Sequence, residues 1–419
     1  MNIKINQNKQ NKQNKQNKQN KQNKQNKQNK QNKKIILSLL FFIHGIAYAS
    51  LVPWIPEIKE KFYLSHYMVG VMISAIPAGA IALGLLSKNF INSIGLYWAT
   101  NIAFLFFIVF ISMIPFASSW YEITLLLFLF GVFDAWTDTC MNVQALNVQR
   151  LYGRSLINRF HGAESIGTIV GGAIAISAIG LGFSMGQFSI TVLFMNLIIL
   201  INYMVFFRNG NSKNEFFLRE NIKKCMSSTG TKLYIIALIL LAFTCGIEDT
   251  ASIWGAIYMN DYYQVPSVIS GLPYLACQVS MVIGRGFGDD LTNKFGSIPV
   301  LRTGILMAAL GIATVIIIHS PTFSILGFSL IGLGMSVIFP LTISFIGQIP
   351  NINSTSGITF ATWISRVGLL IFPPLIGVLA DMTSLRTALI TILIGCLLVF
   401  LLINTLSNTL IKQLTSGEK

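Results

Sequence analysis

The chain has 419 residues, 53% of them hydrophobic and only 11% charged, with thirty phenylalanines. Soluble proteins carry about a quarter charged residues, so this composition excludes a water-soluble core and fits lipid as the solvent. The formal charge of +15 suggests nucleic acid at first. Residues 1–34, however, hold eleven lysines and no acid, which leaves only +4 for the remainder. The excess belongs to a tail, and no nucleic-acid partner is expected.

That tail repeats an Asn-Lys-Gln triplet from about Asn8 to Lys33. A period of three fits neither helix nor strand, and the repeat contains nothing apolar to bury, so residues 1–34 read as a disordered cytoplasmic tail. Contact with anionic headgroups and a repeat expansion without function are both open readings. A signal peptide is excluded by the length of the charged region and by the absence of a small-residue cleavage site before Pro53 and Trp54.

Twelve apolar runs follow, each near the 20 residues needed to cross about 30 Å of hydrocarbon. They centre near Gly45, Gly79, Phe106, Phe130, Val170, Leu197, Gly246, Gln278, Ala309, Gly334, Leu370 and Leu398. The spacing predicts an all-α polytopic membrane protein of twelve transmembrane helices in two six-helix halves. Residues 35–207 form the first half, 208–232 a cytoplasmic linker, 233–410 the second half and 411–419 a cytoplasmic C-terminal tail. Alternate loops carry the basic residues: Lys88, then Arg150, Arg154 and Arg159, then six in the linker, then Lys294 and Arg302. This asymmetry predicts both termini in the cytoplasm.

The halves echo each other at an offset of about 200. Gly45-Ile46 returns as Gly246-Ile247, Trp54 as Trp254, Asn92-Ser93-Ile94-Gly95 as Asn293-Lys294-Phe295-Gly296, and Gly131 as Gly332. Such duplication around a polar linker is how parallel-repeat transporters are built, with the site at the interface of the halves.

The stretch Phe130–Gly172 carries acids inside apolar helices. A charge at the centre of a membrane helix costs roughly 2.5–3.5 kcal/mol on insertion scales, so such groups face a polar interior. Asp134 and Asp138 are four apart and share a helix face. Asp134 is a candidate for the central cavity or for a structural role. Asp138, Asn142 and Arg154, with Arg159 and His161, read as a cytoplasmic gate or helix-end network. Glu164 begins the next apolar run. Glu248 lies mid-span beside Asp249, with no basic neighbour in sequence. A carboxylate in apolar surroundings beside a like charge suits the binding and release of a proton; a structural carboxyl is the competing reading.

Arg366 is the basic residue well inside the second half's apolar runs, placed to pair with Glu248 or Asp249 or to hold an anionic solute. His44 in the first span is a further cavity candidate. Trp54, Trp136, Trp254, Tyr258, Tyr274 and Trp363 could line a site or anchor the interface, a role that fits Trp54 best. Glycines at 79, 84, 162, 167, 171 and 172 supply close helix contact. The five cysteines lie far apart and the four histidines do not cluster, so neither a disulfide framework nor a metal site is expected. No nucleotide loop or catalytic motif occurs, which predicts no cofactor and no enzyme.

The stretch Gly284-Arg285-Gly286-Phe287-Gly288-Asp289-Asp290-Leu291-Thr292-Asn293-Lys294-Phe295-Gly296 after the eighth span resembles the loop signature of the major facilitator superfamily, with an eroded first copy at Gly84–Lys88. Asp138-Thr139-Cys140-Met141-Asn142, Tyr152-Gly153-Arg154, Phe160-His161, and Glu248 followed by Trp254 and Tyr258 resemble a bacterial inner-membrane branch related to fucose permease. The resemblance spans residues 35–410 and implies the major facilitator fold. It also implies a cytoplasmic gate that includes Arg285, Asp289 and Lys294, although Asn293 and Asn92 stand where the family has an acid.

The expected function is secondary active transport of a small polar solute, a sugar or related metabolite by family analogy. Alternating access is driven by protons through Glu248 and Asp134, in a monomer within a lipid bilayer. Efflux of amphipathic compounds and a non-transporting membrane sensor or scaffold are the alternatives.

Overall fold

The computed structural model describes residues 21, 28–152, 156–207, 228–346, 349 and 354–416. Among the described residues twelve helices are long and apolar enough to cross a membrane, and each contains one of the twelve expected centres. They are α1 (Gln28–Lys61), α2 (His66–Ile94), α3 (Leu96–Phe116), α4 (Trp120–Gln149), α5 (Arg159–Gly180) and α6 (Met185–Val205) in the first half. The second half holds α7 (Gly230–Tyr263), α8 (Ser267–Gly288), α9 (Ser297–Ile317), α10 (Pro321–Ile346), α11 (Phe360–Met382) and α12 (Leu385–Leu410). The chain is an integral membrane protein. The end of the bundle where α1 begins is called here the near end, and the opposite one the far end.

Two expected boundaries move. The helix of α1 already starts at Gln28 and includes Lys30, Lys33 and Lys34, so the tail ends earlier than residue 34. Its apolar run supports the extra turns, and Lys30 Nζ donates to the Leu151 carbonyl at 3.0 Å near the end of α4, where helix carbonyls lack partners. At the other terminus helix continues to Ser416, into the segment expected as tail. The rest of the triplet repeat and positions 208–227 of the linker lie outside the described residues.

The repeat in the sequence is a repeat in the backbone. Gly95, between α2 and α3, has φ 83° and ψ 153°; Gly296, between α8 and α9, has φ 84° and ψ 159°. Only glycine enters that region without strain. Tyr63, after α1, and Gln264, after α7, both have φ 51°. Helix packing matches as well. A Cβ on Gly131 would strike the Ile76 backbone, and one on Gly332 the Cys277 backbone. Gly167 presses on Phe42 as Gly368 presses on Ala242. Small residues allow this close approach where lipid supplies no hydrophobic drive between helices.

The halves meet through α2 against α11 and α5 against α8. The outside of the bundle is apolar, with Phe194, Leu306 and Leu310 more than half exposed, as a lipid-facing surface requires. Polar side chains are left to the interior and the ends.

A histidine-bridged carboxylate chain and a far-end lock

Gly45 brings α5 against α1: a side chain there would collide with the Glu164 carbonyl. The preceding residue, His44, is therefore held where α4 and α5 both reach it. Its ring stacks on Phe107 of α3 at 4.6 Å. His44 Nε2 lies 3.1 Å from Asp134 Oδ1, and His44 Nδ1 lies 2.8 Å from Glu164 Oε1. The chain of contacts continues. Glu164 Oε2 lies 3.0 Å from His161 Nδ1, and His161 Nε2 lies 3.1 Å from Asn142 Oδ1. Asn142 Nδ2 lies 2.7 Å from Asp138 Oδ1. Exposure differs among its members: the side chain of His44 is 6% exposed, Asp134 14%, Glu164 24% and His161 46%.

One turn along α1 from His44, the Tyr48 hydroxyl lies within electrostatic reach of Asp134, of Asp249 on α7, of Tyr274 on α8 and of Arg366 on α11. Asp134 of the first half and Asp249 of the second thus both act on the same interior hydroxyl. Glu248 Oε1 stands 3.7 Å from Arg285 Nη2. No hydrogen bond or ion pair joins Asp249 to another described residue.

At the far end, charged groups tie the halves together. Lys59 Nζ donates to Asp261 Oδ2 at 2.8 Å, and His66 Nε2 lies 2.8 Å from the same oxygen. His66 Nδ1 lies 2.9 Å from Asp381 Oδ1, which also accepts the His66 backbone N–H at 2.9 Å; the other oxygen accepts the Tyr67 N–H at 2.9 Å. Asp381 therefore sits on the N-terminus of α2, where free N–H groups and the helix dipole favour a carboxylate. Asn260 Nδ2 donates to Glu60 at 2.7 Å. Lys59, Glu60 and His66 belong to the first half, and Asn260, Asp261 and Asp381 to the second.

Several residues expected at the site stand elsewhere. Arg285, expected in the cytoplasmic gate, faces Glu248. Arg366 makes no ion pair with Glu248 or Asp249; it lies within electrostatic reach of Asp138 and Tyr48 across the interior. Trp136 is two residues from Asp134, about 200° around the helix. It turns away from the acids, tilting against Phe90 at 4.5 Å and donating from Nε1 to the Leu83 carbonyl at 2.9 Å.

Trp254 and Tyr258 are fully buried, packed and not lining a cavity. Trp254 tilts against His66 at 6.1 Å, and Tyr258 stacks on Tyr262 at 5.1 Å. Trp54 is 1% exposed against Phe188, so it is core and not an interface anchor. Trp363 stacks on Phe360 at 5.9 Å, its indole nitrogen buried without a partner. Lys294 lies over the ring of Phe295 at 5.2 Å. Arg154 and the side chain of Asp289 lie outside the described residues.

Sequence reasoning gave Asp134, Asp138, Asn142, His44 and His161 places in a cavity or gate and noted Glu164, but gave no such place to Glu164, the group that joins them. It missed Lys59, His66, Asp261 and Asp381 altogether. Glu164 was findable as a third acid inside an apolar run. The far-end residues carry no such signal, because charge at a span's end is ordinary.

Comparison with known proteins accords with this architecture. An uncharacterized MFS-type transporter of Yersinia pestis is 25% identical over 351 residues, covering 84% of this chain and 89% of its own. Membrane protein MosC of Rhizobium meliloti is 26% identical over 357 residues, covering 84% of each. Among solved structures, a variant of the nucleoside transporter NupG superposes with a TM-score of 0.73 at 12% identity, over 89% of this chain and 99% of its own. A bacterial homologue of the human lysosomal transporter Spinster, inward-facing and occupied, gives 0.72 at 10% identity, over 90% and 97%. The family model of the Major Facilitator Superfamily matches residues 37–363. The chain belongs to the Major Facilitator Superfamily of transporters.

Proposed function

We propose that this transporter moves a small polar solute by alternating access and is driven by protons. The observation that carries the reading is the convergence of carboxylates from both halves on the interior around Tyr48, while charged contacts between the halves hold the far end shut. A site between two halves that rock about it is the working design of this architecture. The basic loops orient the near end toward the cytoplasm, so the state described is closed to the outside.

Asp249, with no ion-pair partner, and Glu248, balanced by Arg285, are the second half's contacts for the solute or its proton. Polar, hydrogen-bonding surroundings favour a solute rich in hydroxyl or amine groups. The likeness to the fucose-permease branch inclines the choice toward a sugar or related metabolite, and likeness to a nucleoside transporter adds nucleosides. Both are analogies of fold and motif.

The test is uptake by purified chain in liposomes with an imposed pH gradient, against sugars, nucleosides, amino acids and organic acids. Wild type is expected to accumulate one class only when the gradient is present. Asp249→Asn and Glu248→Gln are each expected to weaken or abolish accumulation. Equal uptake without a gradient would remove the proton from the reading, and movement of nothing on the panel would favour efflux or a sensor role.

A further inference from the structure

We propose that Asp134, His44, Glu164, His161, Asn142 and Asp138 form one proton-storing relay that holds two protons beyond those of neutral imidazoles and ionised carboxylates, with His161 as its port. The inference deepens the proton-driven reading above and rests on it for its place in transport, but its physical basis is a hydrogen count.

Five contacts link the six side chains, at 3.1, 2.8, 3.0, 3.1 and 2.7 Å. A contact this short between two nitrogen or oxygen atoms needs one hydrogen between them, since lone pair against lone pair is repulsive. Each neutral imidazole supplies one hydrogen. Asn142 touches His161 with one end of its amide and Asp138 with the other, so it supplies one whichever way it is turned. Ionised Asp134, Glu164 and Asp138 supply none. The side chains therefore provide three hydrogens for five contacts, and two further protons complete the chain.

The count does not depend on tautomer or amide orientation. With Asn142 Oδ1 toward His161, both imidazoles are cationic. With the amide reversed, His161 is neutral and its proton sits on Asp138. Shifting the load from His161 to Asp138 thus couples an amide flip to loss of one proton from His161 to water and gain of one by Asp138, and moving one between His44 and Glu164 requires no side-chain motion. His161, nearly half exposed, meets water, while His44 is sealed beneath the ring of Phe107.

Among the described residues the charged and titratable groups around the relay are few, and Cys140 on α4 is one, within electrostatic reach of Asp138. Tyr48 lies on α1, the three acids and two histidines on α1, α4 and α5, Asp249 on α7, Tyr274 on α8 and Arg366 on α11. Only the last three belong to the second half. Arg366 lies within reach of Asp138. A guanidinium brought closer by rocking takes the place of the proton stored there, which then leaves through His161. The relay itself lies wholly within one half and survives the motion, so its load is changed by what the other half presents.

The test needs no transported solute. Full-length chain with 15N-labelled histidine gives four imidazoles, each assigned by its own Gln substitution, because the sequence has four histidines. Nitrogen shifts report ring protonation, and infrared difference spectra report protonated carboxyls. Near neutral pH the protons on the relay are expected to sum to two. His44 and His161 are expected to share their pH transitions, as coupled sites do.

Glu164→Gln supplies one amide hydrogen in place of a carboxylate, so the sum should fall to one and the shared transition should split. His161→Gln changes only an exposed position, tolerates folding, and should slow solvent exchange at His44. A sum below two in folded wild type, or His44 and His161 titrating independently in both wild type and Glu164→Gln, would overturn the relay. Such a result would leave proton-driven uptake in liposomes standing; loss of gradient-driven uptake with the sum intact would instead overturn the transport reading.

Discussion

Two histidines in this protein each hold two carboxylates and differ in which half supplies them. His44 holds Asp134 and Glu164 on its two ring nitrogens, at 3.1 and 2.8 Å; His66 holds Asp261 and Asp381, at 2.8 and 2.9 Å. Both partners of His44 lie on α4 and α5, in its own half. Both partners of His66 lie on α7 and α11, in the other half. In the proposed cycle a rocking motion leaves the first arrangement intact and must break the second. Similar contacts would thus serve the proposed store in one place and the proposed latch in the other, and the difference is made by topology.

The largest effect should follow from emptying the buried position. His44→Leu leaves Asp134 and Glu164 without their shared partner. Removing one member of a buried charged group costs about 3–5 kcal/mol, so thermal unfolding in detergent should drop markedly. His66→Leu, at a more exposed site, should leave stability nearly unchanged and weaken far-end closure instead. Equal loss of stability in both variants would erase the distinction.

Next in size is the latch. Asp261 takes two charged contacts, from Lys59 and His66, and hydrogen bonds to charged groups contribute about 1.5–3 kcal/mol each. Asp261→Asn should therefore shift the closed-to-open ratio at the far end by at least about tenfold. Labelling of a far-end cysteine by a water-soluble maleimide would read that shift as a faster rate.

The latch also carries a pH signature. The closed arrangement needs Asp261 and Asp381 ionised, since both accept hydrogens from the first half. Closure is therefore lost as pH falls and Asp261 and Asp381 take protons up. The same labelling rate should rise on acidification; a rate indifferent to acid would contradict this arrangement.

The smallest effect should come from Trp136→Phe. It removes one hydrogen bond, to the Leu83 carbonyl, worth about 1 kcal/mol, and touches neither histidine. Gradient-driven uptake should stay at the wild-type level. Loss of uptake would return Trp136 to the cavity.

What could be read in the sequence followed from properties that lie along the chain. Span length and apolarity gave twelve helices. The offset of about 200 residues marked turns that prove to share their backbone, as at Gly95 and Gly296. Charge inside apolar runs singled out Asp134 and Glu248. What could not be read depends on rotation and on partners far away in the chain. Trp136 lies next door to the acids in sequence and across the helix from them in space. Trp254 and Tyr258 have the composition of a binding site and the burial of a core. Arg285 belongs by motif to a gate and by geometry to Glu248. His66 and Asp381 are 315 positions apart, and each alone looks like a loop residue.

The most direct measurement is a pair of spin-label distances in nanodiscs, on a cysteine-free background. Glu57→Cys with Gln264→Cys spans the two halves at the far end; Glu57→Cys with Tyr121→Cys stays within the first half. The expected result is a short cross-half distance near neutral pH that lengthens on acidification and with Asp261→Asn, while the within-half distance does not move. A cross-half distance indifferent to both treatments, or a within-half distance that changes by as much, would contradict a rigid first half latched through His66.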